Sequence, residues 1–305
     1  MKIQVIIRPI CIMMKKTDED GEEMLKPIKA DEINAAAAFA ARLFTAPENR
    51  SYPLLLTEAE IAPELLARAG DENASLLGYY DGELAGLMSL FAVPENQYLQ
   101  TTLFTAGSAA AYEAFLAHME ASYPGFEANV GVAAENATAA RALIDAGFTL
   151  AEASADMRLD RADFVRAAAA QIAVERVDAA SFDEYALFHD AHFRDIYWSA
   201  ARLRKKVKNW RIYALKKDGA LVGGLFMTAR FNKNTAEIYG MAAEEDGAEL
   251  AAALLSQALC AAFEEDAVLD AVIFFVDENE PENLRAAASC GFIRRGGYRL
   301  YTKRL

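Results

Sequence analysis

One short pattern occurs twice in this chain and narrows what it can fold into. It reads Glu135-Asn136-Ala137-Thr138-Ala139-Ala140-Arg141-Ala142-Leu143-Ile144-Asp145-Ala146-Gly147-Phe148 near the middle, and Glu282-Asn283-Leu284-Arg285-Ala286-Ala287-Ala288-Ser289-Cys290-Gly291-Phe292 near the end. Each copy is an alanine-rich helix that stops at a Gly, where a left-handed cap is needed, and then sends an aromatic residue into a strand. Each follows an apolar strand, Asn129-Val130-Gly131-Val132 and Val272-Ile273-Phe274-Phe275-Val276. Two copies of strand, capped helix and strand predict two halves of like fold.

Other landmarks recur at similar distances. The first half opens with a strand over Met24–Lys29, Asp31 as a cap, and a helix over Glu32–Leu43; the second opens with a strand over Ile172–Val177, Asp178, and a helix through Phe193. A second helix follows in each, about Glu58–Arg68 and about Trp198–Val207. Asp81-Gly82 and Asp218-Gly219 each join two apolar runs, which signals a hairpin. A third strand then feeds a long helix, Tyr98–Phe104 into Ser108–Ser122 and Ala236–Ala242 into Ala248–Phe263. Paired landmarks stand 147 (Asp31 and Asp178), 137 (Asp81 and Asp218) and 144 (Gly147 and Gly291) positions apart, a drift of a few loop residues.

The predicted class is α/β (α+β), with two domains that each carry a mixed, mostly antiparallel twisted sheet flanked by helices. The expected boundaries are an N-terminal extension over 1–23, domains over 24–160 and 172–305, and an alanine-rich connecting helix over 161–171. In element order and in the Gly-Phe closing segment the chain resembles the GNAT superfamily of acetyl-CoA-dependent N-acyltransferases, twice over and along nearly its whole length. The resemblance implies acetyl-CoA as co-substrate and a small-molecule or peptide amine as acceptor.

Charge and composition exclude some alternatives. A net charge of −14 leaves no basic footprint for nucleic acid. The apolar start, Lys2–Met14, is broken by Arg8 and Pro9 and is too short to span a bilayer, so no membrane partner is expected. Cys11, Cys260 and Cys290 are odd in number and unpaired in spacing, which suits reduced thiols and a cytoplasmic location. His189 and His192 share a helix at a spacing that can hold zinc, but without a further ligand cluster no metal is expected. The run Arg202, Arg204, Lys205, Lys206, Lys208 and Arg211 is read as a solvated helix face or as a site for an anionic group. A monomer or a homodimer is expected.

The resemblance also implies site residues. In the superfamily the pantetheine arm pairs with the fourth strand like an added strand, and the pyrophosphate rests on the next helix N-terminus. In the first half this carries over to Phe104, to Gly107, Ser108 and Ala109, and to Asn136, eleven positions before Gly147. In the second half Gly247 fits, whereas Asp246 and Glu249 put carboxylates where phosphate would lie. Glu237 on the fourth strand is the candidate general base for the acceptor ammonium, beside the plain reading of an exposed strand Glu. The superfamily's general-acid Tyr falls on Leu143 and Ala287; either the thiol leaves without one or another Tyr serves, and Tyr298 is the candidate, with Tyr239 and Tyr301 in the same half. The expectation is an N-acetyltransferase with one working domain; the alternative is a non-catalytic tandem module with degenerate clefts.

Overall fold

The structure is a computed structural model that describes residues 24–52, 54–166, 173–194, 196–229, 234–244 and 247–305. The expected extension over 1–23 therefore lies outside the described residues. Along the first half run β1 (Leu25–Pro27), α1 (Ile33–Leu43), α2 (Glu58–Ala69), β2 (Ala74–Asp81), β3 (Glu83–Val93), β4 (Tyr98–Ala106), α3 (Ala109–Ser122), β5 (Glu127–Ala133), α4 (Ala137–Asp145) and β6 (Thr149–Asp160). The second half repeats the order with β7 (Ala173–Arg176), α5 (Phe182–His192), α6 (Ala200–Lys205), β8 (Trp210–Lys217), β9 (Ala220–Thr228), β10 (Thr235–Ala243), α7 (Gly247–Glu265), β11 (Ala271–Asp277), α8 (Pro281–Ser289) and β12 (Ile293–Arg304).

The helix ends obey local rules. Thr57 caps α2 in a reciprocal box with Glu60: its Oγ1 accepts the Glu60 N–H at 3.3 Å, and the Glu60 carboxylate accepts the Thr57 N–H at 3.0 Å. At the other end of the motif, α4 and α8 stop where Gly147 and Gly291 take φ of +83° and +97°. At Gly291 a Cβ would lie 2.3 Å from the Asp163 carbonyl, so only Gly fits. Asp31 does not cap α1. Glu32 does the local work, its carboxylate accepting the Lys29 N–H at 2.8 Å around a single 3-10 turn.

The chain forms two compact units, one running through Ala153 and taking in Gly297–Leu305, the other spanning Ser154–Gly296. In the first unit the strand order is β1-β2-β3-β4-β5-β12, antiparallel except for β4 with β5. In the second it is β6-β11-β10-β9-β8-β7, antiparallel except for β10 with β11. The units are thus not the expected blocks 24–160 and 172–305. Strand β12 completes the first unit, pairing with β5 from Tyr298↔Ala133 to Arg304↔Glu127, and β6 completes the second, pairing with β11 from Asp160↔Ala271 to Ser154↔Asp277. Each is a twelve-residue strand that follows a Gly-Phe cap, so alternation along it says that a strand follows but not which neighbour it joins.

The connecting helix over 161–171 is replaced, in its described part, by one 3-10 turn at Arg161–Asp163 followed by non-helical residues to Arg166. Tertiary bonds fix this part of the chain. The Arg161 guanidinium donates to the carbonyls of Asp266 and Leu269 beyond α7, and the Val165 N–H donates to Cys290.

Each unit buries a core on both sheet faces. In the first, Phe104, Phe115, Met119 and Tyr301 pack under α3 and α4, while Ile33, Phe39, Ile61 and Leu87 pack under α1 and α2. In the second, Ile238, Leu254, Leu259 and Phe274 lie under α7 and α8, and Phe182, Tyr185, Trp210 and Phe226 lie under α5 and α6. Among the described residues no helix is long and apolar enough to cross a membrane.

The exchange of β6 and β12 has a direct consequence for dissected chains. Fragments 24–160 and 161–305, made separately, are expected to lack a cooperative thermal transition, and mixing them should restore one; two sharp independent transitions would contradict the exchange.

Candidate functional site

In both units the fourth strand carries a bulge that turns it away from the fifth. Ser89 pairs with Leu103 and Leu90 with Thr101, leaving Thr102 extra; Phe226 pairs with Gly240 and Met227 with Ile238, leaving Tyr239 extra. These bulges are 137 positions apart, as are the two Asp-Gly turns. Past the bulge the parallel ladder is over: β4 meets β5 only from Tyr98 to Gln100, and β10 meets β11 only from Thr235 to Ile238. The rest of each fourth strand, to Ala106 and to Ala243, borders an opening.

In the first unit the protein fills that opening itself. Segment 49–52, from the connection between α1 and α2, enters there, with Ser51 forming an isolated β-bridge to Val132 of β5. The Phe104 N–H donates to Ser51 Oγ at 2.7 Å, and Thr105 Oγ1 donates to the Asn49 carbonyl at 2.7 Å. On the other side the Arg50 carbonyl accepts from the Ala133 N–H at 3.4 Å and from Asn136 Nδ2 at 3.2 Å. Ser51 is wholly buried and the Tyr52 ring packs edge-on against Tyr298, 4.9 Å between centroids. The backbone of Phe104 is therefore already paired.

Asn136 is likewise spent within the fold. It is fully buried, its Oδ1 accepts the Ala139 N–H at 3.0 Å to cap α4, and its Nδ2 also donates to the Tyr112 hydroxyl at 3.1 Å. That hydroxyl takes the Ala106 N–H as well, at 3.1 Å. Burial raises the Tyr112 pKa even though these bonds oppose the shift. Gly107, Ser108 and Ala109 remain exposed at the start of α3. The groove of about 600 Å³ between α3 and α4 is flanked by Glu113, Glu120 and Asp145, and its Arg141 is paired to Asp145 at 2.7 Å.

The second unit is arranged differently. Across its opening, the Asn283 amide donates to the Met241 carbonyl at 3.2 Å and to Glu280 at 2.7 Å. Burial, then repulsion from Asp277 and Glu282, raises the Glu280 pKa, although the bond from Asn283 opposes the shift. Gly247 starts the nineteen-residue α7, and exposed Glu249 sits in its first turn; Asp246 lies outside the described residues.

Glu237 falls on the face opposite to Ala236 and Ile238, which are buried against α7, and so it faces the α5 and α6 side. Its backbone N–H donates to Thr228 Oγ1 at 2.9 Å, and Thr228 pairs in turn with Trp210. The residue 137 positions earlier is Gln100, whose Oε1 accepts from the Tyr98 hydroxyl at 2.7 Å. Beside Glu237 four rings meet edge to face: Tyr239 on Trp210 at 5.2 Å, Trp210 on Trp198 at 4.8 Å, and Trp198 on Tyr197 at 5.1 Å.

The two catalytic candidates fall in different units. Glu237 belongs to the second unit, whereas Tyr298 belongs to the first, on β12 beside Gly131. Tyr301 also goes to the first unit, in its core, which leaves Tyr239 as the one of these tyrosines that shares a unit with Glu237. Sequence reasoning missed the plug at 49–52 and the aromatic group. The second had a signal, because both Trp residues of the chain, Trp198 and Trp210, lie twelve positions apart in one half.

The histidine pair diverges. The His189 ring is buried among Tyr185, Phe193 and Phe226, and burial holds its pKa down against the pull of Asp190, while His192 stacks on Phe188 at 4.0 Å. Much of the basic run is engaged locally: Arg204 pairs with Asp183, and buried Arg211 reaches Asp266 at 3.1 Å and Glu265 at 3.4 Å.

Searches with the sequence match no protein-family model and no curated protein. Solved structures do match. A GCN5-related N-acetyltransferase from Sphaerobacter thermophilus aligns over 92% of this chain and 94% of its own, with a TM-score of 0.65 at 15% identity. A tandem GNAT protein from the clavulanic acid biosynthesis pathway aligns over 92% and 97%, at 0.56 and 14%. A GNAT-family acetyltransferase from Colwellia psychrerythraea aligns over 92% and 99%, at 0.53 and 14%. At these identities the likeness is one of fold, and the chain has the GNAT N-acetyltransferase fold.

The bonding of Asn136 separates a structural from a cofactor role. Asn136→Ala is expected to lower the unfolding free energy by about 2–4 kcal/mol, from a lost cap and buried groups left unpaired. Acetyl-CoA affinity should stay unchanged; a loss of affinity at full stability would return Asn136 to the cofactor site.

Proposed function

We propose that the second unit transfers an acetyl group from acetyl-CoA to a primary amine, and that the first unit is a structural partner with a closed cleft. The observation that carries this reading is the contrast between equivalent strands. The first unit's Phe104 and Thr105 are bonded to the chain's own segment 49–52, while the second unit has a carboxylate, Glu237, on the acceptor face of its splayed strand.

The residues present suit acetyl-CoA unequally along its length. An extended arm would lie beside Tyr239–Ala243 as an added strand, through backbone bonds that need no particular side chain, sharing or displacing the Asn283 bond to the Met241 carbonyl. The helix start at Gly247 offers unpaired N–H groups and a favourable dipole to the diphosphate. Glu249, Glu280 and Glu282 oppose it there, and this favours weak cofactor binding that tightens when salt screens the repulsion. The same carboxylates, with Ala287 in the general-acid position, favour the alternative of a non-catalytic module.

When bound, acetyl-CoA supplies the activated acyl group. Glu237 takes a proton from the acceptor ammonium, directly or through one water, which frees the nitrogen lone pair to attack the thioester carbonyl; formation of the C–N bond would be matched by cleavage of the C–S bond, with the nitrogen's second proton leaving on the coenzyme's thiol. Tyr239, two residues along the strand, is placed to hold the acceptor rather than to relay the proton. Glu237→Gln keeps the shape and removes the base. Turnover is expected to fall about 10²-fold or more, with acetyl-CoA affinity retained. Undiminished turnover would dispose of Glu237 as the base, and the absence of any heat on titrating acetyl-CoA would leave the non-catalytic module.

A further inference from the structure

The last two helices of each unit pack differently. In the second unit Ser256 of α7 bonds to the thiol of Cys290, which follows α8, and Ala253, Ser256, Ala286 and Cys290 are all buried. The matching positions in the first unit, 140 and 144 earlier, hold Leu116 and Ala146, and both line the groove of about 600 Å³ between α3 and α4. Ala109 and Ala117 on one wall and Ala137 on the other are exposed in it. Apolar surface on both walls is therefore left to water.

The charge along this groove is negative. Asp145 is paired with Arg141 and Glu120 with Lys303, while Glu113 is exposed and makes no ion pair among the described residues. The chain enters beside Glu113. Met24 packs on the α3 side of the sheet, where the Tyr79 hydroxyl donates to its Sδ at 3.8 Å. Burial, then the charges of Asp81 and Glu113, raise the pKa of that hydroxyl, which sets Glu113 close to it.

What precedes Met24 has the chemistry that the groove lacks. Residues 1–16 carry Lys2, Arg8, Lys15 and Lys16, no carboxylate, and the apolar run Ile10–Met14. Residues 17–23 carry Asp18, Glu19, Asp20, Glu22 and Glu23, which the groove repels, so they suit a spacer and not an occupant. Seven residues reach at most about 24 Å, and the fourteen residues of α3 are about 21 Å long, so the spacer covers the length of the groove.

We propose that Ile10–Met14 of the chain's own N-terminal segment fill the groove between α3 and α4, with Lys15 and Lys16 against Glu113. Burial of the apolar run supplies the affinity, and the charges set its direction along the helices. The first unit is thereby clasped across its last two helices. This holds whichever unit transfers acetyl groups.

Cys11 falls within the docking run and reports on it in the full chain. Iodoacetamide is expected to alkylate Cys11 about tenfold more slowly than in the chain unfolded in urea, with peptide mass mapping to separate it from Cys260. Glu113→Lys should raise that rate about threefold to fivefold, the scale of an exposed ion pair, and adding Lys15→Glu and Lys16→Glu should restore the protection. To place the segment, Ala117→Cys on α3 and Thr138→Cys on α4, both exposed, should each form a disulfide with Cys11 inside one chain under oxidised glutathione. Glu83→Cys, in the hairpin beside Met24, should not. Cys11 alkylated as fast as in urea, a rate unmoved by Glu113→Lys, or a disulfide that forms as readily at Glu83→Cys would overturn the proposal. Disulfides found only between two chains would overturn it too, and would give the groove to the segment of a second copy.

Discussion

A single residue too many in the fourth strand sets up everything that follows. Thr102 and Tyr239 are the extra residues of the two bulges, and beyond each the strand runs out of register with its parallel neighbour. Exposed ladder edges inside a fold are costly unless something pairs with them. The two units meet this demand in different ways. The first closes its gap with Asn49–Ser51 and the Asn136–Tyr112 network, whose bonds hold β4, β5 and α4 together. The second bonds Asn283 to Met241 and sets Glu237 on the opposite side of the strand from its main core.

Duplicated cores under different demands explain why equivalent positions diverge. Under α1 the first unit packs Ala36, Ala40 and Phe44; under α5 the second packs Tyr185, His189 and Phe193. The small residues of α1 let it sit close on an aliphatic layer of Leu76, Leu87 and Leu103. The large rings of α5 instead require glycine beneath them: a Cβ at Gly224 would lie 2.9 Å from the Phe188 ring, and one at Gly240 would lie 2.8 Å from Phe193. The aromatic face of the second unit is thus supported from within the sheet, and its outer rings are held by rings that are themselves fixed. Tyr185 and His189 carry buried polar atoms without partners there, as Thr101 Oγ1 does in the first unit.

Much of the architecture was legible because it is written in local rules. Capped helices, Asp-Gly hairpins and apolar alternation need only neighbours in sequence, and they reveal the repeat and the element order. The destination of β6 and β12 was not legible, since two strands of equal length and similar pattern can each complete either sheet, and the pairing depends on the whole chain. The plug was invisible for another reason. Asn49, Arg50 and Ser51 act through carbonyls and one hydroxyl, which leave no periodic trace. Assigning Phe104 and Asn136 from the superfamily pattern counted side chains and spacing, whereas what closes the cleft is backbone pairing. The face Glu237 occupies was readable because strand alternation alone puts it opposite Ala236 and Ile238; the unit to which Tyr298 belongs was not, because its strand leaves its own half.

The account stands on one asymmetry, a fourth strand sealed in the first unit and available in the second. Amide hydrogen exchange followed with and without acetyl-CoA tests it residue by residue. The amides of Tyr239–Ala243 should slow when the cofactor is added, and those of Leu103–Ala106 should be slow already and stay unchanged. Protection that appears in Leu103–Ala106 instead, or in both stretches alike, would contradict it.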